Sequence, residues 1–130
     1  MNPDQFANRF VLIVDDEPAI RTVIRLHLER SGIPALEASS PAEALDLFAR
    51  EHARIDLVIT DIVMPQISGR ELAFRMRQVQ PGLPVLYMSG FSDRAPDDGI
   101  PCLPKPLDFR LLVETVRALA GFTASRAAPA

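Results

Sequence analysis

The stretch Phe10-Val11-Leu12-Ile13-Val14-Asp15-Asp16-Glu17-Pro18 decides the fold. Five consecutive apolar residues point to a strand buried on both faces, as in a parallel sheet, because a strand with one wet face alternates. Three acids close it. Pro18, whose fixed φ and missing N–H suit a first helical turn, then opens a helix in which Ile20, Val23, Ile24 and Leu28 recur at helical spacing until Gly32. The stretch therefore spells strand, acidic loop, helix.

The same unit recurs downstream, with most of the 12 prolines standing at the joints. Pro34 to Glu37 makes a short strand, and Ser40-Pro41-Ala42-Glu43 forms a capping box for a helix along Ala44, Leu45, Leu47 and Phe48. Ile55 to Thr60 is a third strand ending at Asp61; Ser68-Gly69-Arg70-Glu71 offers a second box, for a helix carrying Leu72, Phe74, Met76 and Val79 and stopped by Pro81-Gly82. Pro84 to Met88 and Pro101 to Leu103 are the last two strands. Asp108 caps a closing helix along Leu111, Leu112, Val116 and Leu119, ended by Gly121.

Strands alternating with helices imply an α/β chain with a parallel sheet and helices on both faces. The expected architecture is a flavodoxin-like, doubly wound (βα)5 three-layer sandwich with strand order 2-1-3-4-5. Its helix between the fourth and fifth strands is reduced or absent, because Gly90 to Ile100 carries Pro96 and no helical apolar stripe. Prolines 101 and 104 flank the fifth strand, which suits a sheet edge. Residues 1–9 make an N-terminal extension, 10–121 one domain, and 122–130 a flexible tail.

Composition narrows the function. The chain has 130 residues, 48% hydrophobic and 24% charged, enough for one core. A single cysteine, Cys102, excludes an intrachain disulfide and multi-cysteine zinc motifs, so a reducing, cytoplasmic compartment is expected. No apolar run approaches the roughly 20 residues that cross a membrane. With 17 acidic against 14 basic residues there is no basic footprint for nucleic acid. Neither membrane nor nucleic acid is an expected partner.

In a doubly wound sheet, ligands bind beyond the carboxyl ends of the strands. Asp15, Asp16 and Asp61 fall at the ends of strands one and three, neighbours in the expected order. Alone, Asp15-Asp16-Glu17 also reads as acids favouring the dipole of the first helix. Three converging carboxylates, however, repel one another and invite a divalent cation; hard oxygen ligands suit Mg²⁺, whereas zinc would want His or Cys. The remaining strand ends carry polar groups at the same edge, Ser89-Gly90 and Lys105-Pro106.

From Phe10 to Gly121 the chain resembles the receiver domain of two-component response regulators. The matching features are Asp15-Asp16, the D-x-x-M-P-x-x-x-G run from Asp61 to Gly69, Ser89-Gly90 and Lys105-Pro106, each at an expected strand end. The resemblance implies that Asp61 is the phosphoacceptor and becomes a 4-aspartylphosphate. It implies Mg²⁺ held by Asp15, Asp16, Asp61 and the main-chain carbonyl of Val63, a hydroxyl from Ser89 to a phosphoryl oxygen, and an ammonium from Lys105 to Asp61 and then to the phosphate. The implied partners are a sensor histidine kinase or histidine phosphotransfer protein and an unidentified downstream protein, with the chain a monomer or weak homodimer. It would be a stand-alone bacterial receiver, catalysing only its own phosphorylation and dephosphorylation and otherwise not an enzyme.

The departures from the family pattern matter as well. The family usually has an aromatic residue three positions before the lysine, and this chain has Cys102. A ring at that position cannot be the switch. Sixteen positions separate Ser89 from Lys105, fewer than is usual. The run from Pro84 to Phe91 resembles receivers of hybrid sensor kinases and atypical regulators with a reduced helix. Val63 and Phe91 are apolar where relatives tune the attacking water, so slow self-dephosphorylation is expected.

Duller roles fit the remaining candidates: His27 a half-buried structural residue, His52 solvated, Cys102 a small apolar strand residue. The rivals are a pseudo-receiver that binds protein without phosphotransfer, a phosphatase, which would want an acid at Val63, and a nucleotide-binding fold, which would want glycines after the first strand. Setting aside Asp15, Asp16 and Asp61 leaves acids and bases equal, so the net charge of −3 is the charge of the proposed site. The only lysine among fourteen basic residues is Lys105. Its compact charge on a slim stem suits a crowded carboxylate and phosphate.

Overall fold

Each strand of the chain has to find cover for two apolar faces, and the helices supply it from both sides. The computed structural model describes residues 9–90 and 98–121. Along them run β1 (Phe10–Val14), α1 (Pro18–Arg30), β2 (Ala35–Ala38), α2 (Pro41–Glu51), a 3-10 turn (His52–Arg54), β3 (Ile55–Asp61), α3 (Gly69–Val79), β4 (Val85–Ser89), β5 (Cys102–Pro104) and α4 (Phe109–Ala120). All four strand pairs are parallel, in the order β2-β1-β3-β4-β5. The expected flavodoxin-like topology holds, with β5 at the edge.

Alternate residues of β1 enter separate cores, as period-two side chains must. Leu12 and Val14 join Phe48, Val58, Leu72, Met76 and Tyr87 beneath α2 and α3. Val11 and Ile13 join Ile24, Leu28, Ile59, Met88, Leu112 and Val116 beneath α1 and α4. The unbroken apolar run at 10–14 thus serves two layers, which makes the three-layer sandwich.

The turn chemistry explains where elements begin. Strands β2, β4 and β5 each start one residue later than the sequence suggested, after Pro34, Pro84 and Pro101. A proline has a carbonyl but no N–H. Each of the three carbonyls accepts a strand hydrogen bond, from Val11, Val58 and Tyr87 N–H respectively, at 2.9 to 3.1 Å. Both expected capping boxes are only half as drawn. Ser40 and Ser68 Oγ accept from the N–H of Glu43 and Glu71 at 3.1 Å. Glu43, however, reaches back to Ser39 N–H rather than to Ser40, and Glu71 turns to Arg75. Asp108 caps α4 as expected, and Gly121, at φ 74°, ends it in the left-handed conformation that glycine adopts without strain.

The expected extension at 1–8, the tail at 122–130 and most of the segment bearing the reduced helix, at 91–97, lie outside the described residues. Residues 98–101 are not helical. Among the described residues no helix is long and apolar enough to cross a membrane.

Candidate functional site

The carboxyl ends of β1, β3, β4 and β5 meet at one edge of the sheet. Parallel pairing aligns Val14 with Thr60, Asp61 with Met88, and Ser89 with Pro104. Asp15, Asp61, Ser89 and Lys105 therefore stand side by side, each at or one residue beyond a strand end. One carboxylate oxygen each from Asp15, Asp16 and Asp61 lies within 4.8 Å of the others, with Asp15 and Asp61 buried and Asp16 exposed. The site is open on the Asp16 side.

Lys105 enters from β5, its chain held by a hydrogen bond from its N–H to the Ser89 carbonyl at 2.8 Å. Its Nζ lies 2.7 Å and 2.9 Å from the two oxygens of Asp61 and 3.1 Å from Asp15 Oδ2. Asp15 Oδ1 accepts from Glu17 N–H at 2.8 Å. Glu17, the N-cap residue of α1, makes no side-chain capping hydrogen bond, and the first turn of the helix carries no acid.

Three carboxylates facing one ammonium are overloaded with negative charge. Burial pushes the Asp61 carboxyl up to about 7, with the Asp15 carboxylate adding to the rise and Lys105 opposing it. Burial works against the Lys105 ammonium, but the hydrogen bonds to Asp61 and Asp15 outweigh it and raise its pKa. An oxygen-only donor set with an exposed side and surplus charge fits a hard divalent cation of the Mg²⁺ kind.

The loop from Asp61 to α3 is packed against the backbone of Asp61 itself. A Cβ at Gly69 would lie 1.9 Å from the Asp61 carbonyl oxygen, so only glycine fits. The Gly69 N–H donates to the Ile62 carbonyl at 2.8 Å, closing the loop. Val63 sits at its outer side, 63% exposed. Phe91 lies outside the described residues.

His27 is half-buried and stacks on Phe109, centroids 4.2 Å apart and planes 6° from parallel. His52, expected to be solvated, is instead half-buried against the Phe48 ring; the chain turns there into β3 and draws the imidazole inward. Cys102 packs partly buried against the α2 and α3 core.

Two residues near the site were missed in the sequence. Arg21 donates from Nη1 to the Asp15 carbonyl at 2.6 Å and from Nε to Glu37 at 3.2 Å, bracing the acidic loop from α1. Tyr87 is fully buried in β4, and its hydroxyl meets Asp98 at 3.0 Å. The one available signal was that Tyr87 is the chain's sole tyrosine, set in an aliphatic strand.

Comparison with known proteins agrees with this geometry. The response regulator receiver domain family matches residues 11–117. The chain is 31% identical over 115 residues to the sensor kinase CckA of Brucella abortus, covering 84% of this chain and 12% of that protein. It is 32% identical over 112 residues to the transcriptional regulatory protein GlrR of Escherichia coli, covering 82% and 25%. It spans 12% to 25% of the length of these curated relatives. Among solved structures, a response regulator receiver domain protein from Clostridium thermocellum superposes with a TM-score of 0.81 at 30% identity, covering 88% of this chain and 95% of that one. The receiver domain of the hybrid histidine kinase CckA does so with 0.75 at 34%, covering 85% and 97%.

Proposed function

The chain belongs to the response regulator receiver domain family of two-component signalling, and from that membership we propose that it accepts a phosphoryl group from a phosphohistidine onto Asp61. The observation that carries the reading is the Asp61 carboxylate held by Lys105 inside the three-acid cluster. A carboxylate oxygen of Asp61 forms the bond to phosphorus as the P–N bond to the donor histidine breaks. The electron pair stays on the imidazole nitrogen, which then takes a proton. A carboxylate is a weak nucleophile, so its neighbours must neutralise and position the phosphoryl group.

Lys105 holds the Asp61 carboxylate in place before transfer and meets the phosphoryl charge after it. Ser89, on the neighbouring strand end, offers its hydroxyl to a phosphoryl oxygen. Asp15, Asp16, Asp61 and the Val63 carbonyl would hold Mg²⁺, which when bound offsets the charge spread over the equatorial oxygens. Arg21 keeps the backbone of Asp15 in register with Asp61.

The phosphoryl donor is a sensor histidine kinase or a phosphotransfer protein on the cytoplasmic side of the membrane. The output is an altered contact with a downstream protein; the chain acts on no separate substrate. A binding module indifferent to phosphorylation would not need a lysine bonded to two buried acids.

Acetyl phosphate and Mg²⁺ test the reading by intact mass. Wild type should gain the mass of one phosphoryl group, and Asp61→Asn should gain none. Equal behaviour of the two proteins sinks the mechanism.

A further inference from the structure

The ring that the family usually carries before the lysine is missing at Cys102, yet a ring does occupy that part of the fold. Tyr87 of β4 is the direct register partner of Cys102 on one side and of Thr60 on the other. In-register residues of parallel strands share a face, and so do residues two apart on one strand. Tyr87, Cys102 and Ser89 therefore project to the same side of the sheet. The Thr60 hydroxyl donates to the Asp61 carbonyl at 3.0 Å. Tyr87 is thus one strand from the nucleophile's backbone and two residues from the hydroxyl that would meet the phosphate.

Its own hydroxyl is tied to Asp98 at 3.0 Å, while the other Asp98 oxygen accepts from Ile100 N–H at 3.1 Å. Asp98 therefore clamps a buried strand side chain to the backbone that leads into β5. Tyr87 and Asp98 also line a recess of about 210 Å³ together with Arg70, Phe74 and Arg77. Its space and two guanidinium groups can receive Asp98 when it lets go. Burial together with the hydrogen bond to Asp98 pushes the Tyr87 phenol well above its ordinary value, so it stays a neutral donor.

We propose that the Tyr87–Asp98 hydrogen bond is the latch that passes the state of Asp61 to the chain entering β5, closed in the unphosphorylated form and released when Ser89 is drawn to the phosphoryl group. The proposal rests on the phosphoacceptor reading above. Tyr87 acts as a positioning residue and touches no reacting atom.

The chain has one tyrosine and no tryptophan, so its intrinsic emission reports Tyr87 alone. A phenol bonded to a carboxylate is quenched. Beryllium fluoride with Mg²⁺, a phosphoryl mimic whose binding is followed independently by fluorine NMR, should raise the emission of wild type. It should leave Asp61→Asn unchanged. Asp98→Ala removes an exposed side chain, should be bright from the start, and should not respond. Because coupling is reciprocal, breaking the latch in either Asp98→Ala or Tyr87→Phe should tighten beryllium fluoride binding about fivefold. An adduct that forms in wild type without a change in emission overturns the latch, as do variants that bind the mimic as wild type does. Absence of any adduct in wild type overturns the phosphoacceptor reading and the latch with it.

Discussion

Two buried aspartates stand at opposite ends of β3, and the chain treats them differently. Asp56, at its start, takes hydrogen bonds from Arg9 Nε at 2.7 and 2.8 Å and a further one from Arg9 Nη2. The bond to Asp56 raises the Arg9 pKa. There the guanidinium of Arg9 faces the Asp56 carboxylate and offsets its charge. Asp61, at the other end, shares a single ammonium with Asp15 and has Asp16 close by. A charge that only ties the fold together is matched by the protein itself. At the Asp61 end the negative charge is left in excess, and the Asp15 carboxylate adds to the rise that burial gives the Asp61 pKa, to about 7.

The comparison breaks most visibly at Gly69. A methyl group there would collide with the Asp61 carbonyl at 1.9 Å, so either the end of β3 or the start of α3 must move. Gly69→Ala should cost about 3 kcal/mol in urea unfolding. It should also slow phosphorylation by acetyl phosphate about a hundredfold, since a displacement near 1 Å is enough for that. Wild-type stability in this variant would show that the site end is no more tightly built than the other.

Asp56→Asn tests the matched end. It leaves the Arg9 guanidinium facing a neutral amide, with water reaching part of it because that side chain is 39% exposed. The expected loss is about 2 kcal/mol, less than for a fully buried broken pair. Phosphorylation of Asp61 should be unchanged. A variant that keeps its stability but loses phosphorylation would mean the two ends of β3 are not separable.

The features legible in the sequence were those set by period and topology. The run at 10–14 announced two buried faces, and parallel strands send their carboxyl ends to one edge, so the sequence alone groups Asp15, Asp61, Ser89 and Lys105. The details that escaped depend on competition in space. Glu43 and Glu71 had the spacing of capping boxes, but each chose another partner within reach. The sequence did not say that Asp15 is buried and Asp16 exposed, or that His52 turns inward. Arg21 to Asp15 and Tyr87 to Asp98 are contacts between elements, and periodicity carries no information about them.

The smallest effect is also the one that separates the two aspartates by sign. For Asp61 the folded-state pKa, about 7, lies above the ordinary carboxylate value of 3.8. Between those values the folded protein holds more protons than the unfolded chain, so stability falls as pH rises through that window. Asn at this position cannot ionise. In the presence of a chelator, Asp61→Asn should therefore be more stable than wild type by about 1–2 kcal/mol at pH 8, below the roughly 4 kcal/mol that three pKa units would give, because Lys105 loses a partner. The advantage should shrink toward pH 4, where the wild-type carboxyl is largely protonated in the folded protein. Mg²⁺ should then stabilise wild type and not the variant, by binding only the folded site. Urea midpoints across the pH series read both effects, and an Asn variant weaker than wild type at pH 8 without metal would show that Lys105 already balances Asp61 as fully as Arg9 balances Asp56.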